Sequence, residues 1–579
     1  MVYLRSQSRI RQRTAMAILE KETPATEASD SDDPQSSQAA VAAGVAASLA
    51  IASCGGGSGG GSNGSGGSGS SGVTDAQASR FLSQAALSAR DNIWLLQLVG
   101  YEGWLNQQFT TPPSGSSWDW LVSQGYNAET YRYSNSSSDY VIWYRLITSP
   151  DQLRQRIALA LSEYFVVSVS GISTQWSQFA MAAYWDMLCE NAFGNFRQLL
   201  EAVTLNPAMG LYLNTKGNQK EDVATGRAPD ENYAREVMQL FTIGLLELNN
   251  DGTVKTNGSG QPIETYNQDT ITNLARVFTG WDLNTGIAGP TATTQFVMPM
   301  QLIASRHSAL AATFLGTTIP AGTDGVTALK IALDTLFNHP NVGPFFGRQM
   351  IQRLVTSNPS PAYVARVATA FNNNGLGVRG DMQAVIRAIL LDPEARSDDA
   401  LALPTGGKLR EPMLRFIQWA RTFNATSAAG TWKIYDLSDP ASRLAQSPLR
   451  SPSVFNYFRP GYTPPNTAIA SAGLVAPEFQ ITNEPTVAGY LNFMQSVIAN
   501  GIADVKPDYT TELSLAGDPT ALVKQINLLM AANQVSATTE AGIIAAVASI
   551  SASTPAGQLN RVRAAILLVM ACPEYLVQK

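Results

Sequence analysis

The run from Gly55 to Gly72 contains only glycine, serine and Asn63. A stretch without apolar side chains cannot offset the entropy of ordering its own backbone, so it cannot belong to a packed core. By composition it is a random coil with an end-to-end distance of about 20–25 Å. It divides the 579-residue chain into a leader (1–54), a linker (55–73) and a body (74–579). The body holds roughly 500 residues, enough for a large core and more than one domain, and a subdivision near residue 400 is left open.

Within the body the apolar residues recur mostly at helical spacing. Leu153, Ile157, Leu161, Tyr164 and Phe165 form one such series, with Ser149-Pro150-Asp151-Gln152 predicted to cap its start and Gly171 to end it. Helices are also predicted at Met181–Glu190, Phe193–Val203, from Pro229 to about Leu246, and at Asn267–Thr279 with Gly280 as C-cap. Others follow at Gly325–Asn338, Pro344–Thr356, Pro361–Asn373, Met382–Leu391 and Glu411–Thr422. The last set is Ala488–Ala499, Pro519–Ala532, Ala541–Ile550 and Gln558–Met570. Strand signals are few: an Asp-Gly turn in Leu248–Thr253 leading to Pro262-Ile263-Glu264, and a similar pairing within Thr294–Ile303. The expected fold is all-α, a large multi-helix body with small β-hairpin excursions.

Charge excludes one class of partner. Asp, Glu, Lys and Arg make up 15% of residues and the net charge is -6, whereas nucleic-acid binders concentrate Lys and Arg. No apolar run after the leader reaches the length of a spanning helix, so a soluble body is expected. Gly56-Gly57-Ser58-Gly59-Gly60 spells a hydrolase elbow and Gly375–Gly380 a dinucleotide loop, but neither follows a strand. Cys189 and Cys572 allow one disulfide or two buried free thiols.

The leader points to a location. An alanine-rich apolar run (Ala39 to Ser53) ends in Ile51-Ala52-Ser53-Cys54, which resembles a bacterial lipobox, where the chain is cut before a cysteine that then carries lipid. The run fits a signal-peptide core and is shorter than the ~20 residues of a membrane span. Arg5, Arg9, Arg11 and Arg13 suit a signal n-region, while Asp30, Asp32 and Asp33 do not. The expectation is an exported lipoprotein held through Cys54 at the cell envelope, on its outer membrane.

Several ordered motifs are similar to the bacterial family called domain of unknown function 1800. They are Pro229-Asp230-Glu231-Asn232-Tyr233-Ala234-Arg235-Glu236-Val237-Met238-Gln239-Leu240-Phe241-Thr242-Ile243-Gly244 and Leu274-Ala275-Arg276-Val277-Phe278-Thr279-Gly280-Trp281. Arg80-Phe81-Leu82, Tyr101-Glu102-Gly103-Trp104-Leu105, Asn338-His339-Pro340, Lys408-Leu409-Arg410-Glu411-Pro412 and Pro573-Glu574-Tyr575 extend the likeness across Thr74–Lys579. Ala85-Ala86-Leu87-Ser88 and His307-Ser308 depart from the family pattern. The resemblance implies a large, mostly helical, exported protein, with an exported protein of the domain of unknown function 1501 family as a partner. It implies no established activity.

The candidate residues therefore come from the chain itself. On the helix after Asp230, Glu236 and Asn232 lie four residues apart at the edge of the apolar stripe. Glu236 reads either as a half-buried acid/base held by Asn232 or as a core-edge acid paired with an arginine from another helix. Glu231 and Arg235 read as a surface pair. His307 and His339 are the only histidines, and His339 suits an imidazolium at a helix C-terminus better than a zinc ligand. No metal or cofactor is indicated. Arg410 reads as an anion clamp, or its block Lys408–Pro412 as a buried ion-pair network at a helix start. In the proline-punctuated loop Ser447–Tyr462, Phe455, Tyr457, Phe458 and Tyr462 suit stacking on sugar rings, or plug the core. Two functions follow: a surface-tethered protein that binds or assembles an extracellular polymer or exported partner, and a carboxylate-based hydrolase or polymer-modifying enzyme using Glu236, Asp230 and Arg410.

Overall fold

Short polar caps set most helix starts. Thr74 and Gln77 form a capping box at the first helix, and Asp324, Ser360, Asp381, Asp518, Ser536 and Thr554 each accept a backbone N–H of the turn they open. The computed structural model describes residues 72–285 and 293–579. The leader, Cys54 and nearly all of the linker lie outside the described residues, and the expectations placed on them are carried no further by the fold.

The helices of eight residues or more are α1 (Asp75–Ala85), α2 (Ile93–Thr110), α3 (Ser136–Thr148), α4 (Gln152–Tyr164), α5 (Ser177–Asn191) and α6 (Phe196–Leu205). Next come α7 (Asn232–Gln239), α8 (Gln268–Val277), α9 (Gly325–Asn338), α10 (Val342–Leu354), α11 (Pro361–Asn372) and α12 (Met382–Leu390). The last are α13 (Pro412–Thr422), α14 (Glu484–Asn500), α15 (Pro519–Ala531), α16 (Ala537–Ala548) and α17 (Pro555–Ala571). Four two-stranded antiparallel sheets decorate them: β1 (Trp281–Asp282) with β2 (Gln301–Leu302), β3 (Ala312–Phe314) with β4 (Thr317–Ile319), β5 (Lys408–Leu409) with β8 (Val577–Gln578), and β6 (Thr426–Ser427) with β7 (Val505–Lys506). The described body is a mainly α fold, and none of its helices is long and apolar enough to cross a membrane.

α4 is the axis of this body. Every residue from Gln152 to Tyr164 is buried, and the helix touches α1, α2, α3, α5 and α10. Its start differs from expectation. Ser149 is the extended C-cap of α3, and Asp151 precedes α4 without capping it. Asp151 instead accepts the Ser114 hydroxyl at 2.5 Å and lies 3.5 Å from Arg154. A tertiary partner outcompetes the local cap because the carboxylate is fully buried.

α7 is shorter than predicted. It ends at Gln239, and the N–H groups of Ile243 and Gly244 both turn back to the Met238 carbonyl. Gly244 has φ +69°, and a Cβ there would stand 2.7 Å from the Phe345 ring, so the chain must leave the helix at this point. It then forms three short antiparallel segments, with Glu247 donating to the Ile263 carbonyl and Lys255 to that of Glu247, both at 2.8 Å. The Asn249–Thr253 turn joins two of them. The Thr294–Ile303 segment pairs differently from expectation. Gln301–Leu302 joins Trp281–Asp282 instead of a neighbour within the segment, since Met300 and Ile303 donate to the distant Leu205 and Gly280 carbonyls.

Three further sequence features resolve simply. The Gly375–Gly380 loop lies between α11 and α12, and the Asn373 and Asn374 side chains already accept its amides from Gly375 to Val378, leaving those donors unavailable to a phosphate. Cys189 and Cys572 are free, buried thiols. The chain end closes the body through β8.

Candidate functional site

A helix buried on all sides should carry no charge unless it is paired, yet α4 contains Arg154, Arg156 and Glu163. Arg154 lies over the Phe193 ring and donates to the Cys189 carbonyl at 3.0 Å. Arg156 and Glu163 belong to a buried charge cluster assembled from α4, α10, the β5–α13 junction and the Pro477–Ile481 turn. Lys408 is its centre. Its ammonium lies 3.2 Å from Glu411 and 3.0 Å from Glu478, and donates to the Arg353 carbonyl at 2.9 Å. The same carbonyl accepts Arg156 at 2.6 Å, and Glu411 also accepts Gln446 at 2.8 Å.

Glu163 and Glu411 are pushed in opposite directions. Burial and the adjacent Glu411 carboxylate push Glu163 well above the usual carboxylate range. Burial also opposes ionisation of Glu411, but Lys408, Arg156 and the Gln446 hydrogen bond outweigh it and hold Glu411 at about 2. Among the described residues neither Glu163 oxygen has a hydrogen-bond partner. The two acids interact and titrate as a coupled pair in which Glu163 is the one that favours its proton.

Glu163 is also where the cluster meets open space. A cavity of about 360 Å³ reaches down to Glu163 and Arg353, within the size range of small-molecule sites. Phe345, Gln349 and Arg353 line one wall at four-residue spacing along α10. The exit of α7 and the short antiparallel segments supply Leu240, Leu246, Leu248 and Val254, and the aromatic loop supplies Val454, Phe455, Arg459 and Pro460. Arg459 lies 4.5 Å over the Phe455 ring at this wall. Arg353 donates to the Glu163 and Gln349 carbonyls at 3.0 and 3.2 Å. Its one carboxyl in ion-pair reach among the described residues is that of Glu163, at 3.7 Å, and Glu411 and Glu478 act on it by charge from farther off. The floor thus presents an acid that burial biases toward its protonated form beside a buried guanidinium, under apolar walls.

The sequence candidates are dispersed. Glu236 is buried on α7, and its Oε2 has no bonding partner. Burial raises its acid, but neither Asn232 nor an arginine from another helix bonds it. Asp230 is exposed, bonded to Asn214, Asn218 and the Asn232 N–H. Glu231 and Arg235 form the surface pair at 3.4 Å. Arg410 is buried against Tyr575, 4.9 Å from its ring centre, and donates to the Tyr575 carbonyl at 3.2 Å. It lines no part of the cavity, whereas Lys408 and Glu411 beside it form the ion-pair network at the start of α13. His307 lies against the Thr279 carbonyl at 3.0 Å. His339 is neutral instead of the expected imidazolium: burial lowers its pKa, and its Nδ1 accepts the Asn341 N–H at 3.2 Å. Glu236, Arg410 and the histidines therefore share no cleft.

Of the four aromatic candidates, Phe455 faces the cavity. Tyr457 donates inward to the Ser447 carbonyl at 3.0 Å, Phe458 is buried, and the Tyr462 carbonyl accepts Ala476 at 2.8 Å. Those three shape the loop that presents Phe455. Glu163 and Arg353 were passed over at the sequence level because each sits among apolar residues of a helix with an obvious core face. The available signal was that α4 is apolar on more than one face (Leu153, Ile157, Leu159, Leu161), the mark of a fully buried helix, whose charges must then be partnered.

A mainly α body with a buried cluster of acids and cations beneath an apolar pocket is the class of protein that fold and site define. Residues 80–577 match the family described as Protein of unknown function (DUF1800), and the chain belongs to that family. No curated protein and no solved structure matches it.

Proposed function

We propose that this is an exported protein, lipid-anchored at Cys54 on the cell envelope, which binds through the Glu163–Arg353 pocket a small apolar group bearing an anionic or hydrogen-bond-accepting head. That group belongs to an extracellular polymer or to an exported partner of the domain of unknown function 1501 family. The observation that carries the binding part is the placement of the Glu163 acid, which burial biases toward its protonated form, 3.7 Å from the Arg353 guanidinium at the floor of an apolar cavity. Both floor groups donate hydrogen bonds, and the positive charge favours an anion. The lipobox-like Ile51–Cys54 and the linker support the location.

The test uses 8-anilino-1-naphthalenesulfonate, an apolar body with an anionic head. The protein is expected to bind it at one site, and Val454→Trp, which places an indole at the cavity wall, is expected to weaken binding at least tenfold with an unchanged melting temperature. Equal affinity in both proteins would remove the pocket from the proposal. Affinity capture from the envelope fraction with native and Val454→Trp protein then identifies the natural group.

A second function, hydrolysis or modification of the bound polymer, is favoured by the same acid, because a carboxyl whose pKa is raised by burial suits a general acid. Glu163→Gln distinguishes the two. The amide keeps a donor and preserves binding of the probe, but it abolishes turnover of any captured substrate.

A further inference from the structure

We propose that the first segment of α2 rests on the lipid surface, so that Trp94 and Leu98 orient the anchored body against the bilayer. This rests on the lipid-anchor reading of Cys54 and adds a second, non-covalent contact. α2 is broken at Gly100, where φ is +70° and ψ 176°, so Ile93–Val99 is a short helical piece of its own. Its inner side is held by Leu96, which is fully buried. Its outer side carries Trp94 at 60% exposure, Leu98 at 52% and Val99 at 36%. A segment facing water ordinarily places polar residues at such positions. Trp94 and Leu98 are one turn apart, so the two large side chains share one face.

The course of the chain selects a lipid surface as the occupant. Thr74 caps α1, and Asp75 in its first turn accepts the Gln97 side chain at 2.8 Å. The chain therefore enters the body beside this face. Only residues 55–73 separate that point from Cys54 in the sequence, and a tether of so few residues would hold a nearby face at high effective concentration at the surface that anchors an acylated Cys54. Tryptophan favours the membrane–water interface, where its ring is buried and its N–H stays wet. The charges near it are of both signs: Asp75, Asp91 and Glu102, with Arg387 paired to Glu102 and Arg90 to Glu512. The contact is thus apolar in origin and does not depend on anionic lipid.

The test couples Cys54 of the full chain to a maleimide lipid in phosphatidylcholine vesicles with brominated acyl chains; Cys189 and Cys572 are buried. Bromine quenches tryptophan only on contact. Quenching is expected in the wild type, is lost for the most part in Trp94→Phe, and is insensitive to added salt. Equal quenching in the two proteins, or none in either, overturns the proposal while leaving the anchor intact. A lipid-free dimer dissociated by Leu98→Ser, or Trp94 shielded from iodide without lipid by the chain's own N-terminal segment, overturns it in favour of those occupants. An unmodified Cys54 thiol on the protein isolated from cell envelopes overturns the anchor, and this orientation with it.

Discussion

Glu163 and Glu411 show how two identical side chains acquire opposite chemistry. Glu411 has Lys408 and Gln446 as direct partners and is held toward its ionised form, whereas Glu163 has neither and is pushed toward its protonated form. The two acids place opposite demands on pH. Glu163 has a folded pKa above its unfolded value, so its contribution to stability is complete below the ordinary carboxylate range and is lost as pH rises through the folded value. Glu411 is depressed to about 2, so its contribution is present above the ordinary value and is lost as pH falls toward 2. The urea midpoint of the wild type is accordingly expected to fall from weakly acidic to alkaline pH more steeply than that of Glu163→Gln, which has no proton to lose. Parallel profiles would show that Glu163 ionises freely. Lys408 and Glu411 were recognisable as an ion-pair block because they are three residues apart at a proline-initiated helix. Glu163 was not, since its partner comes from a different stretch of chain.

Among the elements, the two-residue pairing of β5 with β8 has consequences beyond its length. It holds the chain end against the Lys408–Pro412 junction, where Arg410 donates to the Leu576 carbonyl at 2.7 Å and Gln578 donates to the Leu354 carbonyl of α10 at 2.8 Å. Tyr575 is fully buried between them, donating to Gln418 of α13 at 3.1 Å. Tyr575→Ala leaves a ring-sized cavity and takes the donor from Gln418 Oε1, so it is expected to lower the unfolding free energy by about 3–5 kcal/mol, measured by urea denaturation. A loss below about 1 kcal/mol would mean that the chain end is not integral to the body. The helix positions were largely readable beforehand because caps, prolines and apolar spacing are local signals. Those of α9, α11 and α13 fall within a residue or so of expectation. The starts of α5, α6, α14, α16 and α17 lie three or four residues from expectation and α1, α2 and α3 carried no prediction, whereas at Ser149 and after Gln239 a tertiary contact overrode a local preference, at Asp151 and at Gly244 against Phe345.

On the scale of the whole molecule, the tether and the body make separate claims. Cys54→Ser is expected to shift the protein from the membrane fraction to the soluble fraction and to abolish labelling by radioactive palmitate, without changing the unfolding of the body. Retention of both membrane association and label in the variant would place the anchor elsewhere. What could be known from the order of residues was the helical class and the family likeness, because each depends on neighbours a few positions apart. The opposite shifts of Glu163 and Glu411, the Arg353 guanidinium buried beside them, and the apolar cavity above arise only when α4, α10, the β5–α13 junction and the aromatic loop converge. Burial and charge partnership are properties of that convergence, and no single stretch of the chain carries them.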